Sequence, residues 1–158
     1  MALRNIREIG DEILLKKAKD VKELNDRTQE LIDDMLETMY DANGVGLAAP
    51  QVGVLKKIVV IDTEGDDPHV FVNPEIIKTD GEQSGYEGCL SVPGKTGIVT
   101  RPNYVMVRYF DRNMQEQVLE AEDMLARAIC HEVDHLDGKL YVDLVEGELS
   151  NVEDVQEG

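Results

Sequence analysis

The chain of 158 residues is long enough for one domain with a substantial core and short for two. Hydrophobic residues make up 42% of it and aromatic residues 4%, which predicts a globular fold with a mostly aliphatic core. The formal net charge of -17 disfavours stable binding to nucleic acids and to anionic membranes, because both carry charge of the same sign. The N-terminal sequence lacks the pattern of an export signal, and no apolar run is long enough to span a bilayer, so we expect a cytoplasmic protein.

Helical periodicity appears first in the N-terminal quarter of the chain. It is weak over residues 11–21, where we expect a turn or two at most. It is clear over residues 26–42, where apolar side chains recur at helical spacing, Asp26 is placed to cap the N-terminus and Asn43-Gly44 ends the pattern.

The pattern then changes to short runs of β-branched residues bounded by turn residues, which are typical of strands. They predict strands at residues 57–62, 69–73, 76–78, 97–101, 104–111 and 118–121. Helical periodicity returns from Asp123 to about Asp137, where Gly138 is placed to end the helix. The order of helix, strands and helix predicts an α+β fold.

The last part of the chain differs in composition from the rest. From Asp143 onward it contains acidic residues and no basic ones. We therefore expect a single domain over residues 1–145, followed by an acidic, flexible tail over residues 146–158.

The second predicted helix contains the sequence CHEVDHLDG, residues 130–138. Four residues turn an α-helix by roughly 400°, so His131 and His135 project within about 40° of each other and can bind one metal ion. Glu132 overlooks the same position as a candidate general base. The H-E-x-x-H pattern is short, however, and by itself fits a solvated structural helix equally well.

An open tetrahedral metal site needs a third protein ligand besides two histidines. The candidates are the many carboxylates, His69 in a predicted loop, Cys130 and Cys89. Cys130 points about 100° away from His131, where a small packed side chain is expected. Cys89 lies in EGCLSVPG, and the residues alone slightly favour a buried structural cysteine there. The two glycines in DANGVGLAAPQVG, residues 41–53, are only weak evidence for a nucleotide-binding loop, because they follow a helix rather than a strand and the third glycine is missing.

Three segments in this order closely resemble the three signature motifs of the peptide deformylase family: GVGLAAPQ (44–51), EGCLS (87–91) and HEVDH (131–135). The resemblance covers roughly residues 3–145. It implies an α+β fold in which antiparallel β-sheets pack around a central helix carrying HEVDH. It also implies the family's activity, which is removal of the N-formyl group from the formylmethionine of newly made polypeptides with release of formate.

Carried onto this chain, the resemblance makes Cys89, His131 and His135 the ligands of one divalent metal ion and Glu132 the general acid/base. The family characteristically uses Fe(II), and zinc, nickel or cobalt can occupy its site; one thiolate and two imidazoles do not by themselves select iron. Metal-bound water or hydroxide is then expected to attack the formyl carbon while Glu132 moves the proton to the departing amine.

The resemblance also implies that the Gln51 side-chain amide and the Leu90 backbone N–H donate hydrogen bonds to the formyl oxygen. These bonds would stabilise the negative charge that develops on that oxygen. A structural hydrogen bond within its loop is the alternative role for Gln51. Asp134 and Arg101 are expected to pair and brace the helix.

For the substrate, the segment around Gly44 to Leu47, with Gly46 as a substrate-binding residue, is expected to offer an exposed edge to which a peptide backbone pairs. Val45, Met124 and Ala128 are expected to line a pocket for the methionine side chain, although plain core packing explains each of them nearly as well. Arg127 lies beside that helix face, which leaves the preferences beyond the first substrate residue open.

Two other functions remain open from the sequence. A metallopeptidase shares H-E-x-x-H but commonly takes its third ligand downstream, whereas Cys89 lies upstream. A structural metal site without turnover would need a fourth protein ligand, and Glu132 beside the histidines argues against it. The expected partners are N-formylmethionyl nascent polypeptides, with at most transient proximity to the ribosome and with no stable binding to nucleic acid or membrane.

Overall fold

The computed structural model describes residues 2–152. Its helices are α1 (Asp26–Asp41) and α2 (Asp123–Leu136), and three short 3-10 helices lie at Glu12–Leu15, Ala49–Val52 and Tyr141–Asp143. Its strands are β1 (Gly46–Ala48), β2 (Ile58–Ile61), β3 (His69–Asp80), β4 (Gln83–Cys89), β5 (Val92–Arg101), β6 (Tyr104–Phe110), β7 (Glu116–Glu122) and β8 (Glu146–Asn151). Within the described range, no helix is both long and apolar enough to cross a membrane.

The strands form two antiparallel sheets. Five strands pair in the order β1-β2-β3-β6-β7, and three pair in the order β4-β5-β8. α2 lies between the sheets: it packs on the first through Ile129 and its apolar neighbours, and it reaches the second through Arg127, whose Nη1 donates to the Val99 carbonyl at 3.1 Å. The predicted α+β fold, with antiparallel sheets around a central helix carrying HEVDH, is confirmed.

The short strand β2 positions both helices relative to the larger sheet. Successive side chains of a strand point to opposite faces, so Val59 and Ile61 pack in the core cluster that contains α2, while Ile58 and Val60 pack in the cluster that contains α1. All four are at most 1% exposed. The larger sheet is thus covered on both faces.

The predicted helices agree with the structure to within one residue at each end. The N-cap of α1 is a correction, because Asn25 rather than Asp26 accepts the Thr28 N–H, at 2.9 Å. Gly138 follows α2 with a φ of +76°, and a Cβ there would lie 2.5 Å from the Leu15 carbonyl oxygen, so glycine suits this helix end as predicted.

Each of the six predicted strands overlaps a strand of the structure, but the predictions at 57–62 and 104–111 extend one residue beyond each end of β2 and one residue beyond the end of β6. The runs at 69–73 and 76–78 belong to one strand, β3, whose pairing with β6 shifts register after Val72. β1 and β4 are not predicted, because they are rich in small and polar residues that carry little strand signal.

The predicted flexible tail is wrong for its first six residues. Glu146–Asn151 form β8, which pairs with β5 through Lys95 opposite Asn151 and Thr96 opposite Ser150. The acidic side chains do not prevent this, since a ladder is made by backbone groups and these side chains are mostly exposed. Residues 153–158 lie outside the described range.

Candidate metal centre

Two histidines and one cysteine come together where α2 meets the end of β4. His131 and His135 lie one helical turn apart on one side of α2, with ring centroids 5.0 Å apart. Cys89 is the last residue of β4, and its Sγ lies 3.3 Å from Nε2 of His135. One ligand atom from each residue lies within 4.8 Å of the other two. The three side chains that the resemblance names as ligands therefore converge.

His131 is oriented by an acid on the strand that carries Cys89. Nδ1 of His131 lies 2.9 Å from Glu87 Oε1, and since an ionised carboxylate only accepts, Nδ1 carries the proton. Nε2 of His131 is then the nitrogen available for ligation. A ligating imidazole usually donates its second N–H to a carboxylate, a backbone carbonyl or water, and Glu87 supplies the carboxylate here.

Glu87 lies at the centre of a buried ion network. Arg101 donates to both of its carboxylate oxygens, at 2.9 Å from Nε and 3.0 Å from Nη2, and Arg127 Nη1 donates at 2.6 Å. Burial opposes the charge of Glu87, but the hydrogen bonds from His131 and Arg101 outweigh it and lower its pKa to about 2. Arg101 Nη1 also donates to Asp134 at 2.6 Å, which confirms the predicted pair.

Glu132 lies beside the histidines and faces a cavity. It is 4% exposed, and its Oε1 has no hydrogen-bond partner among residues 2–152. Burial raises the pKa of Glu132 to about 7, against the opposing effect of the charge on His131. Its Oε2 lies close to β1, because a Cβ built on Gly46 would be 2.5 Å from it. A buried carboxyl with a free acceptor and a pKa near neutrality suits proton transfer.

Gln51 lies in the 3-10 helix that follows β1 and is 1% exposed. Its side-chain oxygen accepts the Ala48 N–H at 2.9 Å, which is the structural bond considered above as its alternative role. Its amide nitrogen donates to Ser91 Oγ at 3.0 Å and lies 3.5 Å from Cys89 Sγ. The bond to the loop thus turns the amide N–H groups towards Cys89.

Leu90 begins the turn between β4 and β5, directly after Cys89. Its side chain lies against Gly44, where a Cβ would be 2.6 Å from Leu90 Cδ1. The missing side chain at Gly44 therefore allows the turn to approach the loop that precedes β1. Leu90 borders the same cavity as Cys89.

A cavity of about 430 Å³ opens over these residues. All four residues predicted to bind substrate line it: Val45, Gly46, Met124 and Ala128. Val45 is 48% exposed and Met124 is 55% exposed, so both lie at its mouth, whereas Ala128 is buried. Gly46 belongs to β1, the strand at the edge of the larger sheet. The structure thus brings the predicted substrate residues next to the predicted ligands.

Glu87, Tyr86 and Val152 border this site but are not predicted from the sequence. Glu87 precedes Cys89 by two positions in a strand that is not predicted, and the pairing of β4 with β5 shifts register between the two residues. Tyr86 and Val152 also line the cavity, on β4 and after β8. Their place follows from the pairing of the smaller sheet, for which the sequence carries no local signal.

The side chains at this site fit one divalent metal ion. A thiol and two imidazoles suit several borderline divalent ions, and Glu87 supplies the acceptor that orients one imidazole. Three protein ligands leave a position for water, which is typical of catalytic rather than structural sites. The fold and the site together are those of a metal-dependent hydrolase.

Comparisons with known proteins identify its family. The sequence profile of the polypeptide deformylase family matches residues 3–150. The peptide deformylases of Lachnoclostridium phytofermentans and Agathobacter rectalis are each 63% identical to this chain, over 96% and 99% of it and over 94% and 100% of their own lengths. The crystal structure of a peptide deformylase from Synechococcus elongatus in complex with actinonin has a TM-score of 0.89 at 46% identity, and the match covers 92% of this chain and 82% of that chain.

The chain belongs to the polypeptide deformylase family. It is a metal-dependent hydrolase that removes the N-formyl group from the formylmethionine of newly made polypeptides. The family and the enzymatic activity predicted from the three motifs are confirmed.

Proposed function

We propose that Cys89, His131 and His135 hold the metal ion of this deformylase and that Glu132 transfers the protons. The observation that supports this assignment is the convergence of three ligand atoms within 4.8 Å beside a buried carboxyl oxygen that has no partner in residues 2–152. When bound there, a divalent ion lowers the pKa of water towards about 7 and polarises the formyl carbonyl.

Glu132 carries both proton transfers of the hydrolysis. It accepts a proton from water as the water oxygen bonds to the formyl carbon. The same carboxyl then gives a proton to the nitrogen as the C–N bond breaks, so that formate and a free amino terminus are released. Its pKa of about 7 supports this role, because such a group gains and loses a proton with similar ease near neutral pH.

Gln51 and Leu90 stabilise the negative charge that develops on the oxygen of the formyl group. Negative charge builds on that oxygen during addition, and donors placed in advance stabilise it without reorganising. The amide nitrogen of Gln51 is held 3.5 Å from Cys89 Sγ by its loop bond, and the backbone N–H of Leu90 directly follows Cys89. We propose that these two donors form hydrogen bonds to the oxyanion.

The substrate backbone pairs with β1, which lies at the edge of the larger sheet. Gly46 permits close approach at that edge. The methionine side chain occupies the part of the cavity lined by Val45, Met124 and Ala128, next to the predicted ligands. Apolar side chains at this position favour an unbranched thioether over a charged side chain.

Fe(II) is the native ion under this proposal, by resemblance to the family, and zinc, nickel or cobalt are expected to replace it because the three ligands suit each of them.

The substrate places the enzyme in the cytoplasm, where nascent chains emerge. The net charge of -17 opposes stable contact with RNA, so proximity to the ribosome is transient.

The test measures formate release and metal content on anaerobically prepared protein, with the parent enzyme and a Glu132→Gln variant. The variant should bind as much metal as the parent and turn over about 10²- to 10⁴-fold more slowly. Parental turnover in Glu132→Gln would refute its acid/base role, and parental metal affinity in Cys89→Ala would refute the ligand set. The same peptide without a formyl group is the control, and its cleavage would instead indicate a peptidase.

A further inference from the structure

The C-terminal strand β8 brings the last described residue into the substrate cavity. Val152 follows β8 and lines the same cavity as Cys89 and Glu132. Lys95 pairs with Asn151 in the antiparallel ladder of β5 and β8, so the chain reaches Val152 alongside the part of β5 that also lines the cavity. This side of the cavity is therefore formed in part by the segment that begins at residue 146, whose acidic composition predicts a flexible tail.

We propose that Val152, at the end of β8, is a specificity-determining residue that contacts the second or third residue of the formylated peptide. This inference rests on the proposed placement of the substrate, with its formyl group beside Glu132 and its methionine near Met124. A peptide placed in this way extends its following residues through the remainder of the same cavity.

The segment that leads to Val152 is held in place by contacts with β5. Lys95 Nζ donates to Asn151 Oδ1 at 2.5 Å, and the Lys95 carbonyl accepts the Tyr141 hydroxyl at 3.3 Å. Val145 fills the space beside Gly97, where a Cβ would be 2.6 Å from two of its methyl carbons. Val152 therefore follows a strand that is packed and paired with β5.

The size and lining of the cavity leave room for a second contact site. At about 430 Å³ it is of the size that holds a drug-sized molecule, which exceeds one methionine side chain. Val45 and Met124 border it beside the larger sheet and α2, whereas Tyr86, Lys95 and Val152 border it from the smaller sheet. Tyr86 is 52% exposed, and half-exposed aromatic rings are frequent at contact surfaces. Since an extended chain advances about 3.3 Å per residue, the second and third residues reach beyond the methionine pocket.

The test is a charge swap at Val152. The Val152→Glu and Val152→Lys variants are compared on formyl-Met peptides that carry either Lys or Glu at the second or the third position. At the contacted position, the ratio of kcat/KM for the Lys peptide over the Glu peptide should rise about two- to fivefold in Val152→Glu and fall by a similar factor in Val152→Lys, as for a partly exposed charge pair. The shift should shrink in high salt.

Leu149 supplies the matched control, because it is 40% exposed on β8 and does not line the cavity. Leu149→Glu and Leu149→Lys carry the same charges and should change the ratio much less. An unchanged ratio in the Val152 variants at both peptide positions, or an equal shift in the Leu149 variants, would overturn the proposal. Formate release by the parent enzyme from every peptide is measured alongside, since its absence would count against the proposed function and not against Val152 alone.

Discussion

Replacement of Glu87 by Gln removes one negative charge from the interior and keeps the size of the side chain. In the parent enzyme, Glu87 accepts hydrogen bonds from Arg101, Arg127 and His131 at 2.6–3.0 Å. The side chains of Glu87, Arg101 and Arg127 are 4%, 5% and 7% exposed. The variant leaves two buried guanidinium groups with one carboxylate, that of Asp134, which pairs with Arg101.

The expected loss of stability follows from the removal of this buried carboxylate. Removal of one member of a buried ion pair costs about 3–5 kcal/mol, out of a total stability of about 5–15 kcal/mol for a typical protein. Each kcal/mol lowers the midpoint of thermal unfolding by about 2–4 °C in a chain of this size, so the midpoint should fall by about 6–20 °C. Glutamine also replaces the charged acceptor of His131 Nδ1 by one neutral oxygen, for which the two arginines compete, so metal binding should weaken about 10- to 100-fold.

Circular dichroism of the metal-free protein during heating measures the loss of stability, and titration with Co(II) measures the loss of metal affinity. Glu75→Gln is the matched control, because Glu75 also pairs with an arginine, Arg108, at 2.9 Å, but the two side chains are 62% and 45% exposed. Such a surface pair contributes about 0–1 kcal/mol. If the two variants unfolded within about 2 °C of each other, the buried network would not stabilise the fold more than a surface ion pair does.

Three further predictions concern residues around the cavity. Gly46→Ala puts a Cβ 2.5 Å from Glu132 Oε2, so kcat for formate release should fall about 10²-fold with metal content unchanged, and a parental kcat would contradict this placement. Gln51→Ala should lower kcat about 10²- to 10³-fold in the same assay, whereas a purely structural role would lower thermal stability and leave kcat near that of the parent. Asp62 is buried, which opposes its charge, but the Tyr40 hydroxyl at 2.6 Å and backbone N–H groups lower its pKa below 3.8. Its ionisation therefore stabilises the fold above about pH 3.8, and this contribution is lost as the pH falls through the lower folded pKa. Acid-unfolding curves should show the stability difference between the parent and Asp62→Asn shrinking below that pH, and a constant difference would contradict the assignment.

Local patterns in the sequence determine much of this protein. Both helices, the glycine that ends α2 and the approach of His131 to His135 follow from periodicity and capping, which depend on residues only a few positions apart. The α+β class follows from the order of these patterns. The motif resemblance adds the family and its activity, which the residues taken singly leave open.

Only the tertiary structure decides what surrounds these local elements. The residues alone do not decide whether Cys89 is a packed structural cysteine or a metal ligand. Its contact with His135 exists because β4 ends against α2. Glu87 acquires its role from Arg101 and Arg127, which other elements bring to it. The acidic composition after residue 145 predicts a tail, yet β8 forms because β5 offers backbone partners and Gly97 leaves space for Val145. Such contacts depend on strand register and on packing between residues far apart in the chain, and neither leaves a local signal in the sequence.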